Sequence, residues 1–149
     1  WPYPWWYWLD CQAAEWEQDD RIDFRINTLA DKPLQFSFSG IKSQVYNFLK
    51  KFEREEVELD DQLIKNIAWK FQKVTLWSLV KHAVLACEKY EVKTPWAVGW
   101  VAASSKLQWL LLEWLSKNAI DVTLLMPVKR LYCTDNWAMI WVVGHLMNI

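Results

Sequence analysis

Two histidines, three cysteines and two adjacent aspartate pairs are the side chains best suited to chemistry in this 149-residue chain. His82 and Cys87 fall five apart on a stretch that reads as helix. Zinc ligands on one helix prefer positions three or four apart, so that both aim at one ion. Cys133 and His145 would complete a four-ligand set only if four separated residues converged, with no CxxC or HxxxH to help. The expected state is therefore paired or exposed histidine and buried free cysteine, with no metal. Nucleophilic catalysis fares no better. There is no G-x-S-x-G, and Cys-His chemistry needs Cys87 or Cys133 beside a histidine and an orienting carboxylate. Asp19-Asp20 and Asp60-Asp61 are neighbours whose side chains diverge on a helix, so capping or solvation is expected of them. Only three glycines are present, which argues against a phosphate-cradling loop. No catalytic residue, cofactor or metal ligand is assigned from the sequence.

Composition narrows the class. The chain is long enough for one domain with a real core. Lys and Arg number 17 against 18 Asp and Glu. That balance predicts no nucleic-acid partner, because binding by counterion release needs a basic face. Three sparse cysteines are no disulfide framework and point to a reducing, intracellular compartment. No signal peptide is visible, and no apolar run reaches the roughly 18 residues of a membrane span. Tryptophan is far in excess, with 13 copies. The chain starts at Trp1 and stops inside an apolar run at Ile149, so both ends look cut.

The elements follow from periodicity. Residues 1–8 (WPYPWWYW) carry Pro2 and Pro4, which predicts an extended aromatic arm rather than a helix. Such an arm suits docking onto the domain or a partner, or contact with a membrane interface. In 21–29, Ile22, Phe24 and Ile26 alternate with Asp23, Arg25 and Asn27, and 34–39 repeats the pattern. Ala30-Asp31-Lys32-Pro33 between them supplies a turn, so a half-buried β-hairpin is expected over 21–39.

From Gly40 the period becomes helical. Ile41, Val45, Phe48, Leu49 and Phe52 form one stripe. Asp60 or Asp61 caps a further helix through Phe71, and Thr75 caps either a separate helix or its continuation. Residues 94–117 read as a central buried helix: Thr94 as cap, Pro95 at the first position, then an almost wholly apolar run. Residues 120–132 fit a helix kinked at Pro127, or a strand over 120–126, with helix favoured. A last helix covers 137–147, with Trp137 and Trp141 on one face.

Two stretches, TPWAVGWVAASSKL at 94–107 and TDNWAMIWVVGHL at 134–146, resemble the BH1 and BH2 regions of Bcl-2-type apoptosis regulators. Ala97 and Val98 stand where that family has Gly-Arg, and the BH2 double glycine is absent. The resemblance covers about a fifth of the chain and implies a groove that binds a partner's amphipathic helix.

The expected fold is mainly α: a bundle of about five to six helices around the central helix 94–117, with the N-terminal hairpin 21–39. It is one domain over 1–149, with an arm-and-hairpin layer over 1–39 and a helical layer over 40–149. The expected function is a non-catalytic, tryptophan-rich interaction domain, a structural subunit docking on other protein subunits. Its candidate contacts are Trp1, Trp5, Trp6, Trp8, Trp137 and Trp141. The Bcl-2-like groove is the first alternative, and a small enzyme with a dispersed site the second.

Overall fold

A computed structural model describes residues 5–26, 28–29, 32–56, 58–118, 121–128, 130–133 and 137–147. In chain order the elements are α1 (Trp5–Ala14), β1 (Thr28–Leu29), β2 (Lys32–Phe36), α2 (Ser39–Arg54), α3 (Asp61–Tyr90), α4 (Ser105–Lys117) and α5 (Trp137–Leu146). Short 3₁₀ turns lie at Trp100–Ala103 and Arg130–Cys133. The chain forms two compact units, Trp1–Leu85 and Ala86–Ile149.

In the first unit, the arm expected over 1–8 is a helix from Trp5 onward. Residues 1–4 of that arm lie outside the described residues, and a proline does not bar a helix from starting at the residue after it. The N-terminal hairpin is also shorter than its alternation suggests. Among the described residues Thr28–Leu29 and Lys32–Phe36 pair, antiparallel, with an irregular register of Thr28 against Phe36 and Leu29 against Lys32. Residues 21–26 join no strand ladder among the described residues, yet the alternation works as expected: Ile22 is 3% and Phe24 4% exposed. Both join Ile41 of α2 and Leu63 of α3 in the core, with Val45, Phe48, Phe71 and others packed around them. The Phe24 ring meets Phe48 edge-on at 5.8 Å, an arrangement that suits the quadrupoles of two aromatics.

Helix α3 is continuous for 30 residues. Asp60 starts it, its Oδ1 accepting the Leu63 N–H at 2.6 Å, which satisfies one of the free donors of the first turn. Thr75 caps nothing; its hydroxyl donates to the Phe71 carbonyl at 2.7 Å within the helix. Nothing between Phe71 and Thr75 is a Gly or Pro, so no break is imposed.

In the second unit, α3 ends with Glu91 at φ 51°. The Val92 N–H returns to the Cys87 carbonyl at 3.1 Å and the Glu91 N–H to Glu88 at 3.5 Å, the paired bonds of a Schellman stop. The next stretch departs most from expectation. Where a helix is expected from Thr94, residues 93–94 bend, Trp96 bridges in parallel to Leu125, and the α-helix starts only at Ser105. Leu107, Leu111 and Leu115 are its buried stripe. Residues 121–128 are not helical, and Leu125 pairs in parallel with Trp96.

Candidate functional site

The second unit holds, in succession, a segment ending at Ala97, a glycine turn, a helix and a returning segment, the two segments joined by a parallel bridge between Trp96 and Leu125. The Thr123 N–H donates to the Lys93 carbonyl at 2.8 Å, and the Leu125 N–H to Pro95 at 2.9 Å. The Ala97 N–H donates back to Leu125 at 3.0 Å. Evenly slanted bonds of this kind define a parallel pair, which needs a crossover between its strands; α4 is that crossover. Pro95 has no N–H, so the bond that would reach the Thr123 carbonyl is missing and the ladder is short.

The turn between strand and helix depends on Gly99, at φ 95° and ψ 172°, a conformation essentially reserved for glycine. No atom lies within 4 Å of where a Cβ would sit, so the backbone angle alone demands glycine there. The Ala102 N–H closes on the Gly99 carbonyl at 3.0 Å, and Gln108 Nε2 holds the Ala102 carbonyl at 2.7 Å. Ala102, Ala103 and Ser104 are buried. Ser104 caps α4, its Oγ accepting the Leu107 N–H at 3.4 Å. The head of α4 thus follows the bridged segment ending at Ala97, and the first-turn N–H groups of a helix favour anions. Gly99 and Ser104 were not among the sequence candidates. Their signal was present as a glycine and a capping serine five apart in an apolar run.

The first unit has a cavity of about 570 Å³ with mixed charge on its walls. Trp16 and Trp69 stack beside it, centroids 3.6 Å apart and rings within 10° of parallel. Lys73 lies over the Trp69 ring at 4.4 Å. Asp19 is gripped by Arg21 through contacts of 2.8 and 2.6 Å, and this hydrogen-bonded guanidinium holds its carboxyl below the usual carboxylate range. Asp20 accepts from Gln18 instead, at 2.9 Å. The two carboxylates therefore have separate partners and do not form an acid–base pair.

The other candidates are dispersed. His82 is buried and its Nδ1 meets the Ser78 carbonyl at 2.6 Å. Cys87 is buried, and burial followed by the Glu88 charge pushes its thiol up, away from the reactive thiolate. Cys133 is buried in a 3₁₀ turn, and His145 stacks on Trp141 at 5.7 Å. Among the described residues no three of His, Cys, Asp and Glu gather into a metal site. Of the six tryptophan contacts, Trp1 lies outside the described residues. Trp5, Trp6 and Trp137 are placed by their backbone alone, in α1 and α5. Trp8 helps line an apolar cavity of about 430 Å³ with Leu9, Leu49 and Phe71. Trp141 is 64% exposed.

The family model for tRNA N6-adenosine threonylcarbamoyltransferase, TsaD, matches residues 8–142. This chain belongs to the TsaD family. A tRNA N6-adenosine threonylcarbamoyltransferase of Clostridium beijerinckii is 38% identical over 129 residues, which is 87% of this chain and 36% of that protein. Its counterpart in Staphylococcus carnosus is 36% identical over 139 residues, 93% of this chain and 38% of the relative. The one in Leptospira interrogans is 30% identical over 150 residues, 98% of this chain and 42% of the relative. The chain spans about two-fifths of the length of the curated relatives it matches.

Membership of TsaD overturns the non-catalytic scaffold, the structural-subunit reading and the Bcl-2-like alternative, because the family is one of transferases. It likewise overturns the exclusion of nucleic acid, since the family's named substrate is a tRNA. Net charge misleads here for a physical reason. The value of −1 averages an acidic N-terminal stretch with the lysines of α3, and covers only two-fifths of a family member's length. Among the described residues no helix is long and apolar enough to cross a membrane.

Proposed function

We propose that this chain supplies part of a tRNA N6-adenosine threonylcarbamoyltransferase, with the 98–104 turn and the head of α4 facing a phosphate-bearing substrate. The observation that carries the reading is the family match over residues 8–142. In the reaction the family name describes, the adenosine N6 forms a bond to the carbonyl carbon of a threonylcarbamoyl group. The donor's leaving group departs with the electron pair of the broken bond, and N6 loses a proton. Both reactants bring negative charge to the site if the donor carries an acidic leaving group, and the tRNA brings phosphates in any case. The free N–H groups behind Gly99 and Ser104 suit that charge, and cost no reorganisation because Gln108 and the Ser104 cap already fix the turn.

The test is a chimera in which this chain replaces the matched 36% of the Clostridium beijerinckii relative. Transfer RNA incubated with the chimera should acquire N6-threonylcarbamoyladenosine, read by nucleoside mass spectrometry. Gly99→Val in the chimera should lower that yield at least tenfold while the fold persists. A folded chimera that leaves adenosine unmodified would overturn the assignment.

A further inference from the structure

The cavity of the first unit has no part in the proposed function, yet its walls are built for a ligand. Asn66, Trp69, Lys70 and Lys73 lie at the helical spacing of three and four, so α3 sets them side by side. The loop after α1 is fixed against them. Asn66 is buried and its Oδ1 accepts the Glu17 N–H at 2.8 Å. Lys65 pairs with Glu15 at 2.6 Å. The walls are therefore in place before a ligand arrives. The volume of about 570 Å³ falls within the roughly 300–1,000 Å³ of small-ligand sites.

The charges of the lining are divided between its two sides. Arg21 pairs with Asp19 and Arg25 with Asp23. Glu17 and Asp20 on the loop then face Lys70 and Lys73 on the helix. Among the described residues neither lysine is in an ion pair, and Lys70 adds only a weaker pull on Asp23. The aromatic part is the Trp16–Trp69 stack, with Lys73 over the Trp69 ring. Trp16 is 39% exposed although Trp69 covers one of its faces, so aromatic surface remains for a ligand.

An indole left partly in water beside two ammonium groups suits single-stranded nucleic acid. Bases stack on aromatic rings whatever their identity, and phosphates follow the cations. The carboxylates add selection. They accept hydrogen bonds, and Asp20 keeps capacity beyond the one bond it takes from Gln18. They favour a base with an amino group over uracil, whose one ring N–H lies between two carbonyls. We infer that this cavity holds one unpaired, amino-bearing nucleotide of the tRNA. Its base stacks on Trp16, its phosphate meets Lys70 and Lys73, and its amino group donates to Glu17 or Asp20. The inference rests on the proposed function for the identity of the RNA and adds a contact in the first unit, apart from the turn at Gly99 in the second.

The experiment titrates the full chain into fluorescein-labelled hexamers of cytidylate and of uridylate and reads anisotropy. The two bases differ in an amino group against a carbonyl, and the cytidylate should bind about fivefold more tightly. Trp16→Ala should weaken that binding about tenfold, and Trp16→Phe should recover most of the loss. With both lysines on phosphate, log K should fall against log salt with a slope of about −1.4, and Lys73→Gln should halve it. Trp109→Ala is the control. Lys106 lies over that exposed ring at 5.4 Å, so a tryptophan–lysine pair outside the cavity should leave binding unchanged.

Cooperative thermal unfolding checks each variant, and where Trp16→Ala fails it, Trp16→Phe and Lys73→Gln decide. Equal binding of the two hexamers, parental binding by Trp16→Ala, or a salt slope untouched by Lys73→Gln would each overturn the inference. Displacement of the hexamer by an equal concentration of cytidine monophosphate would do the same, by making this a site for a free nucleotide. So would tighter binding of oligolysine, by making the carboxylates the dominant wall. The chimera separates the two ideas. An active chimera whose KM for tRNA is unmoved by Lys73→Gln sinks the nucleotide site and keeps the function. An inactive chimera, beside hexamer binding that needs Trp16 and Lys73, keeps the site and sinks the function.

Discussion

Gln44 of α2 holds both polar groups of the Arg25 peptide: its Oε1 accepts the Arg25 N–H at 2.9 Å and its Nε2 donates to the Arg25 carbonyl at 2.7 Å. The side-chain amide thus does what a neighbouring strand would do for residue 25. It pins the extended segment 21–26 to α2 while the residues flanking Arg25 turn inward, Phe24 into the core and Ile26 packed against it.

Replacing that amide should therefore loosen the segment. Gln44→Ala is expected to cost about 1–2 kcal/mol in urea unfolding, since two hydrogen bonds are lost and water reaches the site. Gln44→Glu keeps the acceptor and loses the donor, so its cost should be smaller. Equal stability of all three proteins would show that the clasp contributes nothing.

Glu91 sits at φ 51° at the stop of α3, in a left-handed conformation that disfavours any side chain with a Cβ. Glu91→Gly should raise stability by about 0.5–1 kcal/mol, after subtracting the extra freedom of glycine in the unfolded chain. Thermal unfolding measures this directly, and a fall in the midpoint would refute the reading of the stop.

Gly99→Ala probes a different quantity. The added methyl meets no atom, so any loss comes from the backbone angle and should be about 1–3 kcal/mol. A neutral result would mean that the turn relaxes freely, and its role in holding the head of α4 would fall with it.

The Asp19–Arg21 pair makes stability depend on pH. The Asp19 carboxyl is held below its ordinary value by the Arg21 hydrogen bond. Its contribution is therefore fully present above the ordinary carboxylate pKa of about 4 and is lost as pH falls through the lowered folded-state value. Asp19→Asn should reduce stability at pH 7 and flatten the acid limb of the stability curve below about pH 4. A mutant whose acid limb parallels that of the parent would assign the effect to another carboxylate.

Much of the local structure was legible because it depends on neighbours in sequence. The stripe through Ile41, Val45 and Phe48, the cap at Asp60, and the burial of Ile22 and Phe24 all follow from periods of 3.6 and 2. The helical start read into Thr94-Pro95 fails because proline's fixed φ suits an extended strand as well as a first helical turn. The apolar run behind it carries no period to separate the two. Thr75 misleads similarly, since a threonine inside a helix can return its hydroxyl to the preceding turn.

The sequence by itself determined a helix from Gly40 and which side chains of 21–26 face inward; of the helix read over 94–117 only Ser105–Lys117 is helical, and the family match over residues 8–142 assigns TsaD. Only the tertiary structure decided that Trp96 bridges to Leu125 instead of starting a helix, because that partner lies nearly thirty residues away and no local propensity encodes the pairing. The same long-range bonds place Gly99 just after the bridged segment and so convert one scarce glycine into the turn that positions the head of α4.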